Sequence, residues 1–177
     1  LPVLRSAASV DRPDWLRQQS LIAIGMVLGR AHERGIPVND TPTTTDLIEF
    51  TRVDSGVLRH LATYALGFST QPPAQERLLA LVEDGDAMTR RNAATGLARN
   101  GSLAALDFFT TVLRDAAGQS FDPHVVNDQP SGNDYFERMQ SVTNALTFLK
   151  QSATRLSTTE QREFAELSDD VELYSGL

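Results

Sequence analysis

The chain has 177 residues, 41% of them apolar and 22% charged, an ordinary balance for a soluble fold long enough for one sizeable core. Its formal charge of −7 disfavours nucleic acid or an anionic membrane surface as a partner recognised through the general field. It contains no cysteine, which excludes disulfides, thiol nucleophiles and Cys-type zinc sites and leaves the compartment open. Fifteen of its sixteen basic residues are arginine, Lys150 being the exception.

The opening stretch, LPVLRSAASV, is too short and unflanked for a signal peptide. A first residue other than Met reads as processing or, more simply, as a segment cut from a longer chain. Pro13 suits a first helical turn, and Trp15–Gly25 continues as a helix in which Trp15 is expected to seal the first helix pair. The longest apolar run, Leu21–Gly29, is well short of the roughly 20 residues of a membrane span, so no membrane insertion is expected. RGIPVNDTPTTT reads as an inserted loop, followed by a helix whose apolar positions are Leu47, Ile48 and Phe50.

Asp54, Asp86 and Ser102 are candidate N-caps, since their side-chain oxygens accept otherwise unpaired N–H groups. Pro72 and Pro73 open a helix with Leu78, Leu79, Leu81 and Val82 on its stripe, and a later helix repeats the pattern with Phe109, Val112 and Leu113. Between them, RRNAATGLARNG poses a question, because two arginines precede an Ala-Ala pair, a lone Leu and Asn-Gly. Ala93, Ala94 and Gly96 keep that helix surface thin for a close neighbour, with Leu97 as the filling knob. Arg90 is placed to reach Asp84 or Asp86, and Asn100-Gly101 supplies a turn with positive φ.

Residues 116–133 have no period and read as a long loop. Beyond it, ERMQSVTNALTFLK and STTEQREFAELSDD form a last helix pair, with Ser157 and Glu160 as a capping box. The acidic AELSDDVEL reads as a solvated helix terminus.

These segments repeat. An offset of 31 aligns Arg59 with Arg90, Ala62 with Ala93, Leu66 with Leu97 and Ala74 with Ala105. An offset of 42 aligns Leu16, Arg17, Ala23 and Gly25 with Leu58, Arg59, Ala65 and Gly67, the excess being the inserted loop. The units run over 13–53, 55–84, 86–115 and 133–168 within a single domain. Each helix pair alone leaves its apolar stripe wet, and stacking on a neighbour buries it.

The segment LLALVEDGDAMTRRNAATGLARNG resembles the short HEAT-like repeat, with its Asp turn, Arg near the helix start, small-residue pair and Leu. The resemblance covers 45–115 well, 13–34 reasonably and 133–168 weakly. It implies an all-α fold, a right-handed alpha-alpha superhelix of about four helix pairs. It says little of activity, since families with this repeat include binding scaffolds, bilin lyases, DNA glycosylase-like proteins and a di-iron hydroxylase.

LRHLATYALG is similar to the metal-binding segment of deoxyhypusine hydroxylase, whose His-Glu pairs hold two irons. His60 matches the histidine, but Leu61 follows it, and the equivalent positions are Gln18-Gln19 and Arg91-Asn92. A di-iron centre needs several convergent ligands, so no metal or other cofactor is expected and His60 reads as a half-buried packing or capping residue. His32-Glu33 sits late in its helix, and neither His32 nor His124 has a partner at metal-ligand spacing. GLARNGS lacks the lysine of a phosphate loop. Asn39 and Asn100 occupy glycosylation sequons, relevant only to a secreted chain.

No convergent catalytic set emerges, so the reading is a non-catalytic protein-interaction scaffold. HEAT-like architecture implies that the second helices line a concave binding face, where the outward columns contain Arg52, Glu76, Glu83, Asp107 and Arg114. Such a mixed column suits a polypeptide partner better than a phosphate backbone. An enzyme or enzyme subunit of the HEAT-like lyase type is the alternative, and a nucleic-acid-binding HEAT domain the third reading.

Overall fold

The computed structural model describes residues 1–37, 40–118, 120–121 and 132–173. It is all-α apart from a pair of two-residue strands. The helices are α1 (Pro2–Ala8), α2 (Asp14–Glu33), α3 (Thr41–Phe50), α4 (Gly56–Leu66), α5 (Pro72–Leu81), α6 (Ala87–Arg99), α7 (Leu106–Ala116), α8 (Gly132–Ser152) and α9 (Thr158–Asp169). Strand β1 (Ser120–Phe121) pairs in parallel with β2 (Glu172–Leu173). No described helix is long and apolar enough to cross a membrane.

The chain divides into two compact units, residues 1–104 and 105–177. In the first, α2, α4 and α6 pack side by side, while α1, α3 and α5 form a second row against them. The most extensive contacts between rows join α1 to α2, α3 to α4 and α5 to α6. The closest pairs are therefore phased one helix earlier than the units read from sequence. A repeat offset fixes the period and leaves this phase open. The opening stretch, too short to be a signal peptide, forms α1, with Ala8 buried.

The helix ends follow local chemistry. Ser55 and Asp86 cap α4 and α6 by accepting the N–H groups of Leu58 and Thr89. The first cap is thus Ser55 rather than Asp54, because Asp54 lies one residue too early to face that N–H. Ser102 accepts from Ala104 N at the start of a 3-10 turn, Leu103–Ala105, and α7 begins only after it. Pro13 is the N-cap of α2, and Pro72 opens α5. The expected inserted loop is shorter than its sequence span, since Thr41–Thr45 already belongs to α3.

Helices α2 and α6 end alike: Gly35 and Gly101 take positive φ (65° and 76°), and the next N–H returns to the carbonyl of Ala31 or Leu97. The repeat offset reappears in contacts. Arg59 Nη1 donates to Val53 O at 3.5 Å, and Arg90 Nη1 to Asp84 O at 2.7 Å, both six residues back. Arg90 thus grips the main chain of Asp84, while the Asp84 carboxylate faces Arg59 at 3.7 Å, beyond hydrogen-bonding distance.

In the second unit, Phe109 and Leu113 of α7 are buried with Val142, Ala145 and Phe148 of α8 and Phe164 of α9. The Phe109 and Phe148 rings lie 5.0 Å apart. Ser157 and Glu160 form the expected capping box of α9. AELSDDVEL is only partly a solvated terminus: α9 stops at Asp169, Val171 is buried, and Glu172 and Leu173 enter the strand pair. The part of loop 116–133 at 119 and 122–131, His124 included, lies outside the described residues, as does Asn39.

Candidate interaction surfaces

Burial along α6 explains its composition. Ala93, Ala94, Gly96 and Leu97 are all buried. An added Cβ on Gly96 would meet Gly67 Cα at 2.6 Å, so α4 and α6 approach to backbone contact. Around this crossing, Asn100 Nδ2 donates to the carbonyls of Gly67 and Ser69, each at 3.2 Å, and Arg99 Nη1 to Gly67 O at 3.3 Å. Asn100 is thus engaged inside the fold as well as lying in a sequon. The Arg99 guanidinium lies 4.0 Å from the centroid of the Phe68 ring, and burial lowers its pKa.

The five residues proposed from sequence are all exposed, but they divide between the two units. Arg52 follows α3 and is bound to Glu49 at 2.7 Å; Glu76 lies on α5 and Glu83 just after it. Asp107 and Arg114 lie on α7, where Arg114 pairs with Glu163 of α9. Next to Glu76, Arg77 points inward and donates through Nε to Thr51 Oγ1 at 2.8 Å and through Nη2 to Thr51 O at 3.1 Å. The exposed charges of the α3/α5 row in the first unit thus rest on a tied helix pair.

The histidines play other parts. His60 is half-buried and its carbonyl accepts from Asn92 Nδ2 at 2.9 Å, so Asn92, at a position equivalent to a di-iron ligand, bridges α6 to α4. His32 is exposed beside Phe68, with ring centroids 6.0 Å apart. Among the described residues no three His, Asp or Glu side chains are grouped to hold a metal ion. No family model matches this chain, and no curated protein matches it either.

A second surface was not foreseen. Trp15, expected to seal the first helix pair, is 66% exposed, because the buried side of α2 is formed by Arg17, Ser20, Leu21, Ile24, Gly25 and Leu28. Trp15 lies on the opposite side, together with Ile22 and Met26 at helical spacings of seven and four. On α4, Val57 and Tyr64 occupy the positions equivalent to Trp15 and Ile22 and are likewise exposed. Gly25 makes room for Tyr64, whose ring would lie 3.0 Å from a Cβ there, so the two exposed stripes adjoin. The signal lay in the alignment of Trp15 with Val57 and Ile22 with Tyr64, large apolar residues on the face that the core pattern leaves out.

Proposed function

We propose that the chain is a non-catalytic interaction scaffold, a right-handed HEAT-like solenoid that binds a polypeptide partner on its concave helix face. The observation that supports this reading is the ordered stacking of α2, α4 and α6. Backbone-close packing at Gly67 and Gly96 and the equivalent anchors of Arg59 and Arg90 set successive helices in register. Stacked repeats of this kind present rows of side chains to a long ligand. Arg52, Glu76 and Glu83 supply mixed charges suited to a polypeptide in the first unit, and Asp107 and Arg114 hold the equivalent sequence positions in the second.

The test uses the purified chain as bait beside a variant carrying Glu76→Lys, Glu83→Lys and Asp107→Lys. Retention of one protein near stoichiometry by the first, and its loss by the second, is the expected result. Equal retention by both would remove the partner from this row.

A further inference from the structure

The repeat shows what covers one face of its row helices. Ala65 of α4 faces α2, its Cβ 3.7 Å from where a Gly25 Cβ would stand, and Gly96 of α6 faces Gly67 of α4. Seven residues earlier on the same faces, Leu58 and Thr89 are 1% and 0% exposed. In both helices the cover is the preceding helix of the row.

The equivalent positions on α2 are Leu16 and Ala23. With Val27 they lie about 160–180° round the helix from Gly25, on the side turned away from α4. Among the described residues no helix precedes α2 in its row. Leu16 and Ala23 are accordingly only half-buried, and Val27 is 46% exposed. Beside Leu16 opens a cleft of about 490 Å³ between α1 and α2, lined also by Pro2, Val3, Ser6, Ala7 and Arg12. The packing face that α4 and α6 fill with a helix therefore stands open on α2.

We propose that this end face is a homodimer interface, in which α2 packs against α2 of a second copy about a two-fold axis. The stripe is self-complementary. In an antiparallel pair with the axis between residues 21 and 22, Leu16 of one copy meets Val27 of the other at both ends. Ala23 lies beside the axis, and its small side chain lets the two helices approach closely. The Val27 end of each α2 then closes over the cleft of the other copy and covers Val3.

Charge selects the same occupant. A net charge of −7 opposes self-association in general, but residues 15–32 contain no carboxylate, and Leu16, Ala23 and Val27 are uncharged. An isologous contact needs one patch that fits itself, with charge kept from its core. The Trp15–Met26 stripe lies about a quarter turn away on α2 and takes no part. Nor does the dimer use the charges of α3 and α5, so this assignment and the scaffold reading can fail separately.

Sedimentation equilibrium of the whole chain should give a mass that rises with concentration from 19.4 kDa to twice that value and stops. Val27→Glu should weaken dimerisation about tenfold or more. Met26→Glu, at the neighbouring position but on the other stripe, should leave it unchanged, and thermal melts establish that both variants fold. The lack of native cysteine gives a second readout. Oxidation should link the copies of an Ala23→Cys variant, because the axis brings those positions within about 4.5 Å along the helix direction. Met26→Cys should not link.

A monomer at every concentration overturns the proposal and leaves the face to a helix of another sequence. Equal losses from Val27→Glu and Met26→Glu, or linkage through Met26→Cys in place of Ala23→Cys, would overturn it by moving the contact to the outer stripe. A mass climbing past the dimer would overturn it as well, since only a head-to-tail contact grows without closing.

Discussion

A methyl group on Gly96 would stand 2.6 Å from the Cα of Gly67, and one on Gly67 would stand 2.8 Å from the Cα of Gly96. Each of these helices thus presents bare backbone to the other where they cross. Leu78 closes the gap from the second row, its Cδ1 3.3 Å from the place a Gly96 Cβ would take. Both obstacles to a side chain at Gly96 lie in the packed interior, and one of them is backbone, which cannot rotate aside.

Gly96→Ala should therefore destabilise the fold by about 3 kcal/mol, even though alanine is the better helix former. Gly56→Ala is the control: its site at the start of α4 has nothing within 4 Å, so the change should be neutral or slightly stabilising. Urea unfolding of both variants measures the difference. Equal midpoints would mean that α4 and α6 are not in backbone contact.

The Asp86 cap gives the fold a pH-dependent part. The Thr89 hydroxyl, 2.6 Å away, and the Thr89 backbone N–H, 2.7 Å away, hold the Asp86 carboxyl below its ordinary value of 3.8. A carboxylate whose pKa is lowered by folding contributes stability above its unfolded value, and that stability is lost as pH falls through the lower folded value. Asp86→Ala should cost about 1 kcal/mol at neutral pH. The gap between wild type and variant should close as pH falls below 3.8. Asp86→Asn, which caps without a charge, should gain on wild type over the same interval. Denaturant midpoints across that range give the answer, and a constant gap would contradict the cap's role.

What the sequence made legible is what depends on neighbours a few residues away. The caps at Asp86 and Ser157, the turn at Gly101 and the buried Ala93, Ala94 and Leu97 each follow from local hydrogen bonding or helical spacing. Helix α1 was not legible because seven residues are too few to establish a period. Trp15 was misplaced because α2 has apolar residues on two faces, and size alone does not say which is buried. For the same reason Leu79, counted with the buried stripe of α5, is exposed while Leu78 and Leu81 are not. The roles of Asn92 and Asn100 depend on residues more than thirty positions away, and nothing local marks them.

Arg77 illustrates the same distance dependence and carries the last prediction. It follows the exposed Glu76, yet its guanidinium reaches back to the end of α3 and gives both of its contacts there to Thr51. Thr51 is buried, and its own hydroxyl donates to Ile48 O at 2.6 Å, so the end of α3 is closed by side chains. Burial lowers the Arg77 pKa, and the nearby Arg52 charge lowers it further. Arg77→Met retains the apolar stem but leaves the Thr51 carbonyl without its charged donor. The expected loss is about 1.5 kcal/mol, with amide exchange accelerating at the end of α3 and unchanged in α7. Removing the acceptor's partner hydroxyl by Thr51→Val in the same background should add less than its cost in the wild type, because the two changes break one network. Full additivity in that double-mutant cycle would show that Arg77 and Thr51 are not coupled.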